Sequence, residues 1–366
     1  MSEQMLVATR KGLFTYTRTP QGWQTTTPAF LGQNVTLATP LGGGRGWLAA
    51  LNLGHFGTKL FWSGDAGRTW EERAVPVYPP GEEVPSGDGK PARPASLQMI
   101  WALEPGGADQ PGRVWAGTLP GGLFRSDDDG QTWTLMRSLW DRPERAYWFG
   151  GGYDWPGIHS ICIDPRDSRK LRLAVSSAGV WLTDDDAQTW SLGEGLIARY
   201  MPPELQKNPV AQDPHRMVLC PSAPDHLWIQ HHSGVFRSVD GGRTWTEVEN
   251  VLPSVFGFAV VVHPQDPQKA WFVPAIKDEF RIPVDGKFVV ARTSDGGQSF
   301  DVLSRGLPPA PAYDLVYRHG LAIDETGDRL ALGSTTGGLW VTENQGDTWQ
   351  SLSVHLPPIH AIRFVA

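Results

Sequence analysis

Short apolar runs, broken by polar turns rich in glycine and proline, recur along the whole chain. Leu171-Arg172-Leu173-Ala174-Val175 is followed by Gly179-Val180-Trp181-Leu182, then by a polar turn, then by an aromatic residue that opens a further strand. Runs of roughly four to eight residues bounded by turn signals read as strands. One more such strand precedes each unit, at 35–40, 97–103, 159–164, 215–220, 258–263, 319–324 and 360–365. The longest apolar run, 255–262, is itself strand-sized, and no stretch approaches the ~18 apolar residues of a membrane helix.

The polar turns are copies of one another. Ser126-Asp127-Asp128-Asp129-Gly130-Gln131-Thr132-Trp133 returns as Ser238-Val239-Asp240-Gly241-Gly242-Arg243-Thr244-Trp245 and as Ser63-Gly64-Asp65-Ala66-Gly67-Arg68-Thr69-Trp70. Weaker copies begin at Thr183, with Ala187 in the glycine place, at Thr293, and at Thr342, with Asn344 in the aspartate place; an eroded seventh lies near 16–23. The closing aromatics fall at 23, 70, 133, 190, 245, 300 and 349, with spacings of 47, 63, 57, 55, 55 and 49. A period of about 50 residues suits four short strands with their loops, which is one blade of a β-propeller. Within the turn, the aspartate can accept bonds from turn amides, the glycine supplies positive φ, and the aromatic packs between sheets. An aspartate repeated in every unit is a structural clip rather than a catalytic centre, because a reaction needs one site.

The strand at 360–365 has no turn copy after it, and the first turn copy has no such strand before it. The sequence therefore predicts an all-β chain forming a single seven-bladed β-propeller over 1–366. Its C-terminal strand pairs beside Leu6-Val7-Ala8-Thr9 and completes the N-terminal blade. Blades are expected at 359–366 with 1–28, then 34–75, 96–137, 158–192, 215–249, 256–304 and 318–352. Closure of this kind hides two sheet edges that would otherwise invite aggregation.

Composition narrows the picture. A formal charge of −7 and a pI near 5.8 argue against a nucleic-acid binder, because phosphate contact needs clustered Lys and Arg. With 40% apolar and 19% charged residues the chain is not disordered. Cys162 and Cys220 lie in strand-like segments and read as buried free thiols. Arg10 and Lys11 interrupt the first apolar segment before it reaches signal-peptide length. A cytoplasmic monomer with no membrane association is the expectation.

The consensus Ser/Thr-x-Asp-x-Gly-x-Thr/Ser-Trp/Phe resembles the Asp-box, or BNR repeat, of sialidases, xyloglucanases, sortilin-type receptors and photosystem II assembly factors. The resemblance covers almost the whole chain. It is nearest to bacterial proteins described as BNR-repeat glycosyl hydrolases or WD40/YVTN/BNR-like repeat proteins. It implies the propeller fold; Asp-box propellers host unrelated activities, so function has to come from the site. Sialidases carry a Phe/Tyr-Arg-Ile-Pro motif in the first of six blades. Here Phe280-Arg281-Ile282-Pro283 falls in the sixth of seven, so the likeness to sialidases is one of motif and not of catalytic residues. Xyloglucanases pair two propellers around a cleft, with a catalytic aspartate from each, whereas this chain has one ring. Photosystem assembly factors have one seven-bladed ring and match it in size.

Strand order gives each loop a face. Turns such as 165–170 and 325–328 are short, whereas the other rim carries the long insertions 75–95, 138–157, 193–214, 275–287 and 305–317. Long loops on a rigid scaffold are where binding and catalysis concentrate. Four of the innermost strands begin with histidine, His159, His215, His319 and His360; the equivalent places elsewhere fall near Asn34, Gln98 and Phe258. Rim turns add His55, His231, His232, Arg10 and Lys11. Candidate catalytic carboxylates are Glu279, Asp278 and Asp154. Candidate ligand partners are Arg281, Lys277, His159, His215, His231, His319, His360, Arg318, Tyr317, Trp155 and Arg10. The loop Tyr147-Trp148-Phe149-Gly150-Gly151-Gly152-Tyr153-Asp154-Trp155 suits a sugar platform with mobile glycines, or else a plug of satellite core.

Three occupants of this polar mouth are consistent with its chemistry. Water held among mutually satisfied side chains is one. An anionic or polyhydroxylated small ligand, with Arg281, Arg216 and Arg318 as bidentate partners, is the second. The third is a divalent metal on two or three histidines with a carboxylate, although no His-x-His or HExxH spacing marks it and no cofactor is otherwise expected. Two functions stay open: a glycosyl hydrolase-like pocket that binds, and hydrolyses, a carbohydrate-like or anionic small molecule, or a non-catalytic interaction and assembly-factor-like scaffold.

Overall fold

The structure, a computed structural model, describes residues 1–86 and 90–365; residues 87–89 of the 75–95 insertion and Ala366 lie outside it. The chain is an all-β, seven-bladed β-propeller of four-stranded antiparallel sheets. The first blade joins Gln4–Thr9, Gly12–Thr19 and Gly22–Thr25 to Ile359–Val365. The second contains Val35–Pro40, Trp47–Asn52, Thr58–Ser63 and Glu71–Arg73, and the third Met99–Pro105, Val114–Leu119, Leu123–Ser126 and Thr134–Leu135. The fourth comprises Gly157–Ile163, Leu171–Ser176, Gly179–Thr183 and Ser191–Leu192, and the fifth Pro214–Leu219, Leu227–His231, Gly234–Ser238 and Thr246–Val248. The sixth has Gly257–His263, Asp266–Pro274, Val290–Thr293 and Asp301–Leu303, and the seventh Leu321–Ile323, Leu330–Gly333, Leu339–Thr342 and Gln350–Ser353.

The ring closes as the unmatched terminal strands require. Leu6 stands opposite Arg363 and Ala8 opposite Ala361, antiparallel, on the free edge of Gln4–Thr9. Each strand of that pair supplies the hydrogen-bonding partner the other lacks, so neither edge is left to recruit another chain.

The repeated turns are clips built from one hydrogen-bond scheme. In the third blade, Ser126 Oγ donates to Asp128 Oδ1 at 2.7 Å and accepts from the Gly130 amide at 2.9 Å. Asp128 Oδ1 accepts from the Thr132 amide at 2.9 Å, and its Oδ2 from the Thr132 hydroxyl at 2.7 Å. Asp65, Asp185 and Asp295 repeat the arrangement with Thr69, Thr189 and Ser299. Gly130 sits at φ 85°, and Ala187 is forced to φ 62° in the same place. The aspartate and hydroxyl groups of the clip thus satisfy its turn amides locally.

The chain divides into two compact units. In the one made of Met1–Ala38, Val218–Val239 and Thr246–Ala366, the core fills the spaces between adjacent sheets. Trp271, Val290, Leu330, Trp340 and Trp349 pack between the sixth and seventh blades, and Met5, Val7, Trp23, Ala331, Val341 and Ile362 between the seventh and the first. In the one made of Thr39–Met217 and Asp240–Trp245, Ala102, Trp115, Ile158, Leu173, Trp181 and Trp190 do the same between the third and fourth blades. Trp115 and Trp181 are sealed from solvent, and truncating either to alanine should cost about 3–5 kcal/mol.

The insertions of this second unit are not bare loops. In the 75–95 insertion Glu83–Ser86 pairs antiparallel with Lys90–Pro94, and the 138–157 insertion is entered by a one-turn helix, Arg137–Trp140, followed by the 3-10 turn Pro143–Tyr147. Trp140 donates from Nε1 to Glu82, whose other oxygen takes Arg137 Nη2 at 2.6 Å. Tyr78 packs its ring 4.9 Å from that of Trp140 and bonds the Thr118 hydroxyl at 2.6 Å. The insertions thus brace one another through buried aromatic rings.

Candidate functional site

A recurrent slip in the inner strands selects which side chains are turned out of the sheet. Against Leu171–Ser176, Ile158 pairs with Val175 and Ser160 with Ala174, so His159 is the extra residue. Trp101 is extra between Ile100 and Ala102, and His360 between Ile359 and Ala361. Phe258 and Ala259 fall in the slip between Gly257 and Val260. An extra residue bends the strand and re-aims its side chain, which is why bulges recur beside binding sites. The equivalent place in the third blade is therefore Trp101 and not Gln98. Counting back from the strand end cannot reveal a bulge, so the sequence reading missed this ring.

In the second unit these bulges build an aromatic face. Trp101 meets His159 edge-on at 5.3 Å and Tyr153 edge-on at 5.1 Å. Trp155 packs on Met99, Trp101 and Leu119, and the Arg93 guanidinium lies 5.4 Å over its ring. Tyr153 is 47% exposed, whereas Trp148 is buried in the core cluster. The Tyr147–Trp155 loop is thus half plug and half platform. Gly157 has to be glycine here, because a Cβ would run into the Trp101 ring.

Behind this face lies a polar floor. His159 Nε2 is 2.8 Å from the Pro214 carbonyl and so donates to it, leaving Nδ1 to accept from Ser160 Oγ at 3.0 Å. Both ring nitrogens are engaged within the protein, so His159 is a strut rather than a ligand. Arg216 Nη1 donates to the His159 carbonyl at 3.3 Å. Asp213, two residues before His215, was not singled out from the sequence. Its Oδ1 accepts from the Ser177 amide at 3.1 Å and the Ser176 hydroxyl at 3.2 Å, while Oδ2 lies 3.6 Å from His215 Nε2. Asp213 and His215 are the donors of this unit suited to touching a common cation. Gly151 covers the group: a Cβ there would stand 2.5 Å from Ser177 Oγ and 2.8 Å from Ser176 Oγ. Asp154 is exposed on the same loop.

In the first unit the bulged Phe258 carries a cationic cluster. Arg281 lies 5.3 Å and Arg318 5.7 Å from its ring centre, and Tyr317 meets it edge-on at 4.9 Å. Arg281 donates from Nε and Nη2 to Asp278 Oδ1, at 3.0 and 2.6 Å, and from Nη1 to the Tyr317 hydroxyl at 3.2 Å. Glu279 is not its partner; it faces Lys277 Nζ at 3.5 Å, and both are exposed. The amide of Glu279 itself, then Lys277, holds this carboxyl below its usual value, opposite to what a general acid needs.

Of the remaining candidates, His231 and His360 each spend a ring nitrogen within the protein. His231 is fully buried against Phe236, and its Nδ1 accepts from the Ser233 amide at 3.0 Å. The carbonyl of His319 accepts from the Ile362 amide at 2.8 Å. His360 Nε2 meets Asn34 Oδ1 at 2.9 Å; burial, then Arg10, pushes its pKa down. Arg10 is exposed, its amide bonded to the Pro358 carbonyl.

No family model matches the chain. The oligoxyloglucan-reducing end-specific xyloglucanase of Emericella nidulans is 23% identical over 298 residues, 77% of this chain and 32% of that protein. The chain thus spans about a third of the length of this curated relative. Among solved structures, an ancestral GH74 enzyme superposes with a TM-score of 0.58 at 15% identity over 87% of this chain and 38% of that one. YCF48 bound to D1 peptide gives 0.54 at 14% identity over 88% and 82%, and YCF48 from Cyanidioschyzon merolae gives 0.54 at 13% over 94% and 96%. At these identities the structural likeness establishes the fold.

Proposed function

We propose that this protein is a carbohydrate-binding propeller, whose sugar-binding face is formed by Trp101, Tyr153 and Trp155 over the polar floor of Asp213, His215, Ser176 and Ser177. The observation that carries it is the pair of inner-strand bulges that bring Trp101 and His159 into ring contact beneath a half-exposed Tyr153. Aromatic faces stack on pyranose rings, and the buried Asp213, His215, Ser176 and Ser177, bonded to one another, hold the strand ends beneath that face. The distant likeness to a xyloglucanase supports the same ligand class.

Hydrolysis is not part of this reading. Asp278 is clamped by Arg281, Glu279 is a surface ion pair with its pKa held down, and Asp154 is exposed. None has the buried, apolar surroundings that keep a carboxylic acid protonated for glycosidic cleavage. The test is calorimetric titration of xyloglucan and cello-oligosaccharides into wild type, Tyr153→Ala and Trp155→Ala, with reducing-end release assayed in parallel. Binding weakened on the order of tenfold or more in each variant, without turnover, is expected. Absence of binding across the sugar panel, or variants that bind like wild type, overturns it.

A second reading, a peptide-binding scaffold, is favoured by apolar side chains left out on the first unit's insertions. Phe280 is 57% and Tyr313 65% exposed. The structural neighbours of similar length include one bound to a peptide. Loss of peptide capture in Phe280→Ser, with sugar binding unaffected, would separate the two.

A further inference from the structure

Several arginines of this chain hold a carboxylate along one edge of the guanidinium, with Nε and Nη2 side by side. Arg142 takes Glu144 at 3.0 and 2.6 Å, Arg166 takes Asp164 at 3.0 and 2.7 Å, and Arg169 takes Asp167 at 2.9 and 3.0 Å. Arg18 and Arg281 use the same edge on Glu343 and Asp278. These five side chains lie at or near the surface.

Arg145 is the reverse case. It is only 9% exposed, on the 3-10 turn Pro143–Tyr147. Its Nη1 donates to the Trp140 carbonyl at 2.6 Å, and its guanidinium lies 3.4 Å from the Trp140 ring centre and 5.7 Å from that of Trp148. Among the described residues, buried Nε has no acceptor and no carboxylate stands within ion-pair distance. Glu82 is already committed to Arg137 and to Trp140 Nε1, and Glu144 to Arg142. Burial pushes the guanidinium down to about 10, while Tyr78, Glu82 and Asp141 pull it back up. The π faces of two tryptophans offset part of the cost of burying this charge, but they leave Nε without an acceptor.

We propose that the Nε–Nη2 edge of Arg145 is the docking point for the carboxylate of a small ligand. A planar anion with two oxygens matches the side-on fork, as Glu144 matches that of Arg142 three residues earlier. The tryptophan rings exclude water, which strengthens a charge-assisted pair once it forms. The assignment stands apart from the sugar face of Tyr153 and Trp155 and does not rest on it.

Thermal melting and calorimetry of the full chain test this with sodium glucuronate and sodium acetate, against sodium chloride at equal ionic strength and glucose. Both carboxylates should raise the melting temperature of the wild type above that in chloride. Arg145→Met should abolish the response, and Arg145→Lys, which keeps charge but loses the fork, should weaken affinity on the order of ten- to a hundredfold. Without ligand, Arg145→Met should melt at or above the wild type, because it removes an unbalanced buried charge. Glucuronate binding more tightly than acetate marks a sugar acid, and equal binding marks recognition of the carboxylate alone; either supports the site. Tyr153→Ala with Trp155→Ala should keep the carboxylate response, so failure of the sugar reading is distinguishable from failure of this one. A wild type that melts alike in carboxylate and chloride, or an Arg145→Lys that keeps full affinity, overturns the proposal.

Discussion

Arg18 grips Glu343 with two bonds, Nε to Oε1 at 2.6 Å and Nη2 to Oε2 at 3.2 Å, tying the first blade to the seventh. Trp23 donates to the same Oε1 at 3.1 Å, and Arg329 Nη1 reaches back to the Ser2 carbonyl at 2.6 Å. These contacts flank the strand pair that closes the ring. Solvent screens a pair whose carboxylate is 38% exposed, so Glu343→Gln should cost about 1 kcal/mol or less. Removing 359–366 should be far worse, leaving Gln4–Thr9 with an open edge and the protein insoluble or protease-sensitive. A soluble truncation with one sharp melting transition would contradict this account of closure.

The clips make stability sensitive to acid. Bonds from the Thr69 amide and hydroxyl lower Asp65 to about 2, and those from the Ser299 hydroxyl and amide lower Asp295 to about 2. Carboxylates depressed on folding stabilise above their unfolded value, about 4, and that contribution is lost as pH falls towards 2. Asn344 shows the uncharged form, accepting from the Thr348 amide at 3.0 Å and donating to its hydroxyl at 2.9 Å. Asp65→Asn and Asp295→Asn should therefore fold, melt below wild type at pH 7, and close that gap progressively as pH falls from about 4 to about 2. A gap of constant size across that range would rule the mechanism out.

His360 should report on closure at milder pH. Burial, then Arg10, lowers its pKa, so it is neutral in the fold beside Asn34. The unfolded chain takes up a proton below about 6.5, and stability should fall from there down to the depressed folded value. His360→Gln keeps a polar partner for Asn34 and removes the titration. Melting curves between pH 7.5 and 5 should be flatter for the variant; identical slopes would assign the acid sensitivity elsewhere.

Ala187 and Gly130 occupy the same turn position with opposite compromises. A Cβ at Gly130 would meet Leu48, Leu60 and Trp133 at 3.5 Å, which is ordinary contact. Gly130→Ala should thus cost only the backbone term at φ 85°, about 1 kcal/mol. Ala187→Gly relieves a similar strain but gives up a buried methyl worth about 0.8 kcal/mol, so it should be nearly neutral. Urea denaturation of both variants checks the sign and the contrast.

The blades were legible because their signal is local and repeated. Each inner strand begins within two residues of where the apolar runs place it, and the closing strand follows from one unmatched run at each end. The site was legible only by neighbourhood. His159 and His231 do lie in the expected strands, yet spend ring nitrogens on Pro214 and Ser233. Trp101 was hidden by a one-residue bulge, and the solitude of Arg145 depends on Arg137 having taken the distant Glu82 and Arg142 the adjacent Glu144. Register slips and competition for partners are tertiary events that no window of sequence contains. Asp213 alone left a trace, as the acid two places before a histidine.

Because Ile359–Val365 completes a sheet whose other strands lie before residue 26, a growing chain leaves the ribosome with its earliest strands unfinished. Gln4–Thr9 has to wait through the synthesis of every other blade with one edge bare. Order of manufacture and order of assembly therefore diverge in this protein. A chaperone that shields nascent β-edges would act longest on this strand.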